Sequence, residues 1–331
     1  MSDKFTNEEI LLIDELKKLG KKVTRQQIIQ TGAEVGTDGI RLTQKIYRFA
    51  KVDRGLYDLE RIPSELLKPI EVPKALSDDE REEKIKLKFA AMRVMAKATA
   101  QGKTRALIVS GPGGLGKTHE VLEEIKAIQP NFDELKQKIS GMVRPTGLYK
   151  ALFENSTPGS ILLFDDADSI FYDDAALNLL KAACDTTQRR IISWRAETHM
   201  EDSYGEKLPP YFEFCGNVIF VTNKDFVELI NSGSRISPHI EALKTRAHYL
   251  DLELVDREDK LLRIRQVMND ALARGRTDLL GASCAKDVNE IYDYMKVNTK
   301  DADLNLREVI KIAQLKHIAK DWVKLAKSFN K

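Results

Sequence analysis

Cysteine is scarce in this chain: three among 331 residues, Cys184, Cys215 and Cys284. They are scattered and odd in number, so neither a disulfide framework nor a C-x-x-C metal site is expected, and a reducing cytoplasm is the expected compartment. Long apolar runs are also missing. None exceeds about five residues, where a membrane helix needs about 20, so no membrane partner is expected. The first ten residues, MSDKFTNEEI, are acidic and polar where a signal peptide is basic and then apolar. An excess of one charge is lacking too: 53 basic side chains stand against 51 acidic ones, a net charge of +2. Nothing global marks the chain for nucleic acid, so any contact with DNA must rest on a local patch. There is no internal repeat and no low-complexity segment.

What is present reads as a folded protein of about two or three domains, with 42% hydrophobic and 31% charged residues. Residues 1–60 form the first expected unit. Thr6 and Glu9, then Thr24 and Gln27, have the spacing of helix-opening capping boxes. A third helix is expected over 38–50, with Ile40, Thr43, Ile46, Tyr47 and Ala50 facing inward, and a hairpin over 51–59 with Arg54-Gly55 near its turn. Three short helices and a hairpin are the layout of a small winged-helix-like domain. Residues 61–84 are expected as a linker, because Pro63, Pro69 and Pro73 block continuous helix, although 78–101 carries a charged helical pattern. From 85 to 255, apolar runs at 106–110, 161–164 and 218–222 alternate with helical segments, as in an α/β domain with a parallel sheet buried on both faces. Residues 256–331 carry helical patterns only, at 260–273, 286–296 and 306–328.

The motif that carries chemistry is Gly111-Pro112-Gly113-Gly114-Leu115-Gly116-Lys117-Thr118, a full G-x-x-x-x-G-K-[ST] between an apolar strand and a helix. Glycines let backbone N–H groups curl around phosphates, and the following helix adds its positive end. Lys117 is expected on the β- and γ-phosphates and the Thr118 hydroxyl on Mg²⁺, which makes ATP and Mg²⁺ the expected cofactors. The apolar run 161–164 ends in Asp165-Asp166. Asp165 is placed to hold Mg²⁺ through water, and Asp166 to act as general base on the attacking water. Asp168 reads as a turn residue.

P-loop, acidic strand end and the Asn223 that closes the run at 218–222 together resemble the AAA+ ATPases over about residues 85–325. The resemblance implies a P-loop AAA+ core with a C-terminal helical lid, ATP hydrolysis, and a homo-oligomer in the form of a ring. It makes Asn223 the sensor 1 that orients the lytic water. Leu304-Asn305-Leu306-Arg307-Glu308 is similar to the start of the lid helix bearing sensor 2, which points to Arg307, and Arg246 falls where the family places its arginine finger, with Arg235 as the alternative. The family usually has Asp-Glu at the strand end. Asp166 is one carbon shorter, so turnover is expected to be slow or to need a partner subunit.

Two kinds of client are expected. Arg41, Lys45 and Arg48 share one face of the third helix, and Lys51 and Arg54 carry the basic character into the hairpin, which suits a DNA duplex. The stretch 140–146 lacks the aromatic residue with which protein unfoldases grip polypeptide, and Arg144 suits a phosphate backbone. The alternative is a protein-remodelling ATPase whose N-terminal domain docks a protein client. An insertion before the sensor 1 strand, with an extra strand at 190–194, offers Trp194, Tyr204 and Tyr211 as aromatic contacts.

Overall fold

Side chains that satisfy orphaned backbone donors start the first helices. Thr6 accepts from the Glu9 amide while the Glu9 carboxylate accepts from the Thr6 amide at 2.8 Å, opening α1 (Asn7–Leu19). Thr24 and Gln27 repeat the box at α2 (Arg25–Glu34), and Asp38 caps α3 (Gly39–Ala50). The computed structural model that shows this describes residues 5–67, 76–195, 200–254, 256–275 and 284–329. The chain divides into two units, Met1–Ala75 and Leu76–Lys331.

In the first unit, strands β1 (Lys22–Thr24), β2 (Lys51–Asp53) and β3 (Leu56–Asp58) form an antiparallel sheet in the order β1-β3-β2. The β2–β3 hairpin turns at Arg54-Gly55, as expected. Strand β1 was not expected, because three residues between two helices are too few to show a period of two. The core gathers Phe5, Leu12, Ile13, Leu16, Ile28, Leu42, Ile46 and Tyr57. On α3 the inward stripe is Leu42, Thr43, Ile46 and Ala50, whereas Ile40 and Tyr47 are 49% and 51% exposed. The expectation that those two face inward is corrected by the helix period: they lie roughly a quarter-turn from the stripe that Leu42 anchors. Gly39 is required where α3 crosses α2, since a Cβ there would collide with the Ile28 carbonyl oxygen. The core runs past residue 60, with Ile62 buried, and the helical part of the expected linker belongs to the second unit. There Ser77 and Glu80 form a third capping box, at the start of α4 (Asp78–Ala100).

The second unit is built on a five-stranded parallel sheet in the order β10-β4-β9-β6-β5: β4 (Ala106–Ser110), β5 (Lys138–Ser140), β6 (Ile161–Asp165), β9 (Asn217–Thr222) and β10 (His248–Asp251). Strands β7 (Ile191–Ser193) and β8 (Tyr211–Glu213) pair separately as an antiparallel ribbon. Continuous apolar runs become two-faced by alternation. Leu107, Val109, Ile161, Leu163, Ile219 and Val221 pack with α4, α5 (Lys117–Ile128) and the C-terminal helices. Ile108, Leu162, Phe164, Val218 and Phe220 pack against α7 (Pro145–Glu154), α8 (Asp174–Ala183) and α10 (Ser237–Arg246), with Phe164 and Phe220 stacked at 4.8 Å. The short helices α6 (Glu134–Gln137) and α9 (Phe226–Asn231) complete this part.

After β10 the described chain is helical: α11 (Arg257–Ala273), α12 (Ala285–Asn298), α13 (Leu306–Ile318) and α14 (Trp322–Phe329). The run expected at 306–328 is two helices. The break lets Trp322 pack on Tyr294, at 5.3 Å between rings, and buries Ala326. Among the described residues no helix is long and apolar enough to cross a membrane.

Candidate nucleotide site

The sheet register builds the site. Ser110 pairs with Thr222 and Asp165 with Val221, so β4, β6 and β9 end at one level. The Gly111–Thr118 loop, Asp165-Asp166 and Asn223 leave the sheet there together. Three segments assigned separately from sequence thus meet. Lys117 is 5% exposed, and its Nζ donates to the carbonyls of Gly111 (2.7 Å) and Pro112 (2.8 Å) and to Asn223 Oδ1 (3.0 Å). Asn223 Nδ2 in turn donates to Asp166 Oδ1 at 2.9 Å. The Thr118 hydroxyl donates to Asp165 Oδ1 at 2.6 Å.

The electrostatics follow from burial. Desolvation pushes the Lys117 ammonium down to about 8, against the pull of Asp166, Asp165 and Asp168. Burial and then the neighbouring Asp165 push the Asp166 carboxyl above the ordinary aspartate value. Asp166 also holds a left-handed backbone, φ 53°, right after the strand, which turns its side chain back toward Asn223. Asp168 opens a 3₁₀ turn and accepts the Thr222 hydroxyl at 2.5 Å. It is a turn residue, as read from sequence, and a third negative charge in the cluster.

Arg307 is exposed at the start of α13, and its charge lowers the pKa of both Lys117 and Asp166, which places it within electrostatic reach of the site. The other two arginines have partners of their own. Arg246 donates to the Ala242 carbonyl of its own helix at 2.8 Å, and its buried Nε has no hydrogen-bond partner. Arg235 is exposed and lies 3.2 Å from Asp174.

Sequence reasoning missed three contributors. The Leu306 amide donates to the Gly114 carbonyl at 2.8 Å, and a Cβ on Gly114, whose φ is +72°, would run into Asn305. The loop is therefore clasped by the start of α13. The signal was present: Asn305 caps α13, accepting from the Glu308 amide. Second, Arg263 of α11 is buried behind the loop. Its Nε donates to the Leu115 carbonyl at 3.3 Å, its guanidinium lies 3.4 Å from the Phe89 ring centre, and it pairs with Glu120, which Arg93 also holds at 2.7 Å. Third, Lys138 of β5 lies 3.0 Å from Asp165 Oδ2. No motif marks either cation.

The basic residues of the first unit are placed unequally. Lys45 is 20% exposed and bonded at 2.6 Å to Glu9, which is itself buried; Arg41 lies 3.7 Å from the same carboxylate. Lys45, one of the residues expected to face DNA, thus has its charge on a buried acid. Arg41, Arg48, Lys51 and Arg54 are exposed. Of the aromatic candidates, Trp194 is partly buried beside Tyr149, Tyr211 is exposed, and Tyr204 is 84% exposed on a turn tied by Asp202.

No protein-family model matches the chain. A curated relative does: the uncharacterized 36.7 kDa protein in the nrdC–mobD intergenic region of Enterobacteria phage T4. It is 31% identical over 261 residues, covering 77% of each chain. Among solved structures, NtrX from Brucella abortus in complex with ATP aligns at 16% identity with a TM-score of 0.42, over 93% of this chain and 66% of that one. A second NtrX structure from the same organism gives 15% and 0.41, over 94% and 70%. A likeness this distant assigns neither fold nor function.

Proposed function

The chain belongs to the family of that phage T4 protein, and we propose that it is an AAA+ ATPase coupling Mg-ATP hydrolysis to remodelling of DNA or a DNA-associated complex. The observation that carries the reading is the convergence of Lys117, Thr118, Asp165, Asp166 and Asn223 at the ends of three adjacent strands. In this reading the Lys117 ammonium exchanges loop carbonyls for the β- and γ-phosphates. Asn223 orients the attacking water and Asp166 accepts its proton; a carboxyl raised by burial is a better base near neutral pH. Arg307 senses the γ-phosphate from α13, and α11–α14 act as the lid. Arg246, or Arg235, serves a neighbouring subunit as the arginine finger of a ring.

Mg²⁺ fits the donors. Thr118 and Asp165 offer hard oxygens 2.6 Å apart, and among the described residues no cluster of three or more His, Cys, Asp or Glu stands ready to hold a metal alone. That suits an ion that takes its remaining ligands from phosphate and water, and whose chemistry is to neutralise phosphate charge.

The first unit supports a winged-helix reading, with its order α1-β1-α2-α3-β2-β3, and the exposed Arg41, Arg48, Lys51 and Arg54 support a duplex as client. One observation favours the protein-client reading instead. Ile40 and Tyr47 stand half-exposed on α3, and an apolar pair of that kind suits a protein surface.

Asp166→Asn tests the catalytic assignment. ATP binding should persist while turnover falls by about 10²–10⁴, the usual worth of a general base. Turnover at the parent rate would place the base elsewhere. The ring is tested by mixing Arg246→Ala with Lys117→Ala subunits. Each alone should be inactive, and the mixture should recover activity, since one supplies the finger and the other the site. No recovery in an assembly shown intact by light scattering removes Arg246 from that role.

A further inference from the structure

Both oxygens of Asp165 are engaged, and by unlike partners. Thr118 donates a neutral hydroxyl to Oδ1 at 2.6 Å, whereas Lys138 brings a full positive charge to 3.0 Å from Oδ2. Lys138 opens β5, the strand hydrogen-bonded to β6; its backbone faces Leu163, and it reaches along the pair toward Asp165, which faces Ser140. The contact is sheltered, with side-chain exposures of 20% for the lysine and 13% for the acid. Glu134 does not compete closely: its Oε2 lies 3.9 Å from the Lys138 ammonium, and its Oε1 is held by Lys126. Lys138 is therefore anchored on the one acid that the proposed function turns toward the metal.

We propose that Lys138 is an internal counter-ion for Asp165, which neutralises that carboxylate while no nucleotide is present and so keeps divalent ions from settling there alone. This rests on the reading of Asp165 as the metal-facing acid. Such an arrangement makes metal binding depend on the triphosphate. Without Lys138, Asp165 would meet a divalent ion with only the neutral Thr118 hydroxyl on its oxygens, and an ion already seated would have to be accommodated by each arriving substrate. A divalent and a unit cation about 6 Å apart repel by a factor of roughly ten in affinity even at the dielectric of bulk water. Phosphate oxygens, arriving with their own negative charge, overcome that repulsion, and Lys138 remains on the far oxygen of the carboxylate, keeping the other turned to Thr118.

Mn²⁺ binding to the full-length, nucleotide-free protein, followed by electron paramagnetic resonance, tests the role. Lys138→Met keeps the length of the side chain on a short edge strand and should bind Mn²⁺ about tenfold tighter than the parent. Lys138→Arg should match the parent, and adding Asp165→Asn to Lys138→Met should abolish the gain. Equal or weaker Mn²⁺ binding by a folded Lys138→Met protein overturns the inference. Should that variant not fold, Lys138→Gln should show the same tenfold gain, and its absence there overturns the inference equally. Calorimetry with ATP on the parent separates the two levels. No ATP binding removes the nucleotide-site reading, whereas ATP binding alongside an unchanged Mn²⁺ affinity in Lys138→Met removes only the role of Lys138.

Discussion

Two lysines drawn out of water, one in each unit, do opposite things with their charge. Lys45 in the N-terminal unit sits on Glu9 at 2.6 Å and over the Phe5 ring at 5.0 Å. Its desolvation is offset inside the fold, by a carboxylate that is itself buried. Lys117 in the second unit touches two carbonyls and an amide oxygen, and the acids that attract it are not in its hydrogen-bond shell. Burial without a contacting carboxylate drives its pKa down to about 8. Under the proposed nucleotide-site reading, the difference separates a structural cation from one kept for a ligand: the first has its counter-charge in contact, and the second holds only neutral acceptors that an anion can replace.

Replacing each lysine by methionine should separate them. Lys117→Met should lower ATP affinity by about 100-fold or more, the loss of charge-assisted bonds to phosphate worth roughly 1.5–3 kcal/mol each. The same change should shift stability by no more than about 1 kcal/mol in either direction, since relief of a desolvated charge is set against three lost hydrogen bonds and a lost pull on Asp165, Asp166 and Asp168. A Lys117→Met protein that is clearly destabilised, or that binds ATP like the parent in calorimetry, breaks the comparison on this side. Lys45→Met should do the reverse and cost about 2–3 kcal/mol in denaturant unfolding. That is below the roughly 3–5 kcal/mol typical of a fully buried pair, because Lys45 is 20% exposed and Arg41 lies 3.7 Å from Glu9. Adding Glu9→Gln to Lys45→Met should recover most of the loss. A double variant no better than the single one would mean that Lys45 acts through packing on Phe5.

What could be read from sequence divides along the same line. Spacing rules are local, so the capping boxes at Thr6 and Thr24, the hairpin turn at Arg54-Gly55 and the glycine-rich turn from strand β4 into helix α5 were all legible. The apolar runs of β4, β6 and β9 were legible because parallel strands are buried on both faces. That Lys117, Asn223 and Asp166 touch was implied by their places at strand ends and needed only the register. Partners distant in sequence were not legible. Nothing around Glu9 announces Lys45, 36 residues on, and nothing around Asp165 announces Lys138, whose strand is three residues long. The same blindness turned Ile40 and Tyr47 inward, since a helix of mixed composition permits two stripes and only tertiary packing on Leu42 chooses between them.

The smallest expected effect bears on what the N-terminal unit contacts. If α3 meets a DNA duplex, binding by the full-length chain should weaken steeply with salt, since each phosphate contact releases about 0.9 counterion on B-form DNA. The sequence alone lets Arg41, Lys45 and Arg48 act together, with a slope change of up to about 3 on replacing all three. The Glu9 pair changes that expectation. Arg41→Ala with Arg48→Ala should reduce the log–log slope by up to about 2, and a conservative change at Lys45 should leave the slope alone while lowering stability. Alanine favours helix, and Leu42, Ile46 and Ala50 keep the core contacts, so α3 should persist in the double variant. Fluorescence anisotropy with a labelled duplex from about 50 to 200 mM salt measures both slopes. A slope that drops with Lys45 as much as with the two arginines would mean that phosphate outcompetes Glu9, and Lys45 would then behave as Lys117 does. No salt-dependent binding by the parent at the lowest salt would end the DNA reading, and the exposed Ile40 and Tyr47 would become the surface to test against a protein client.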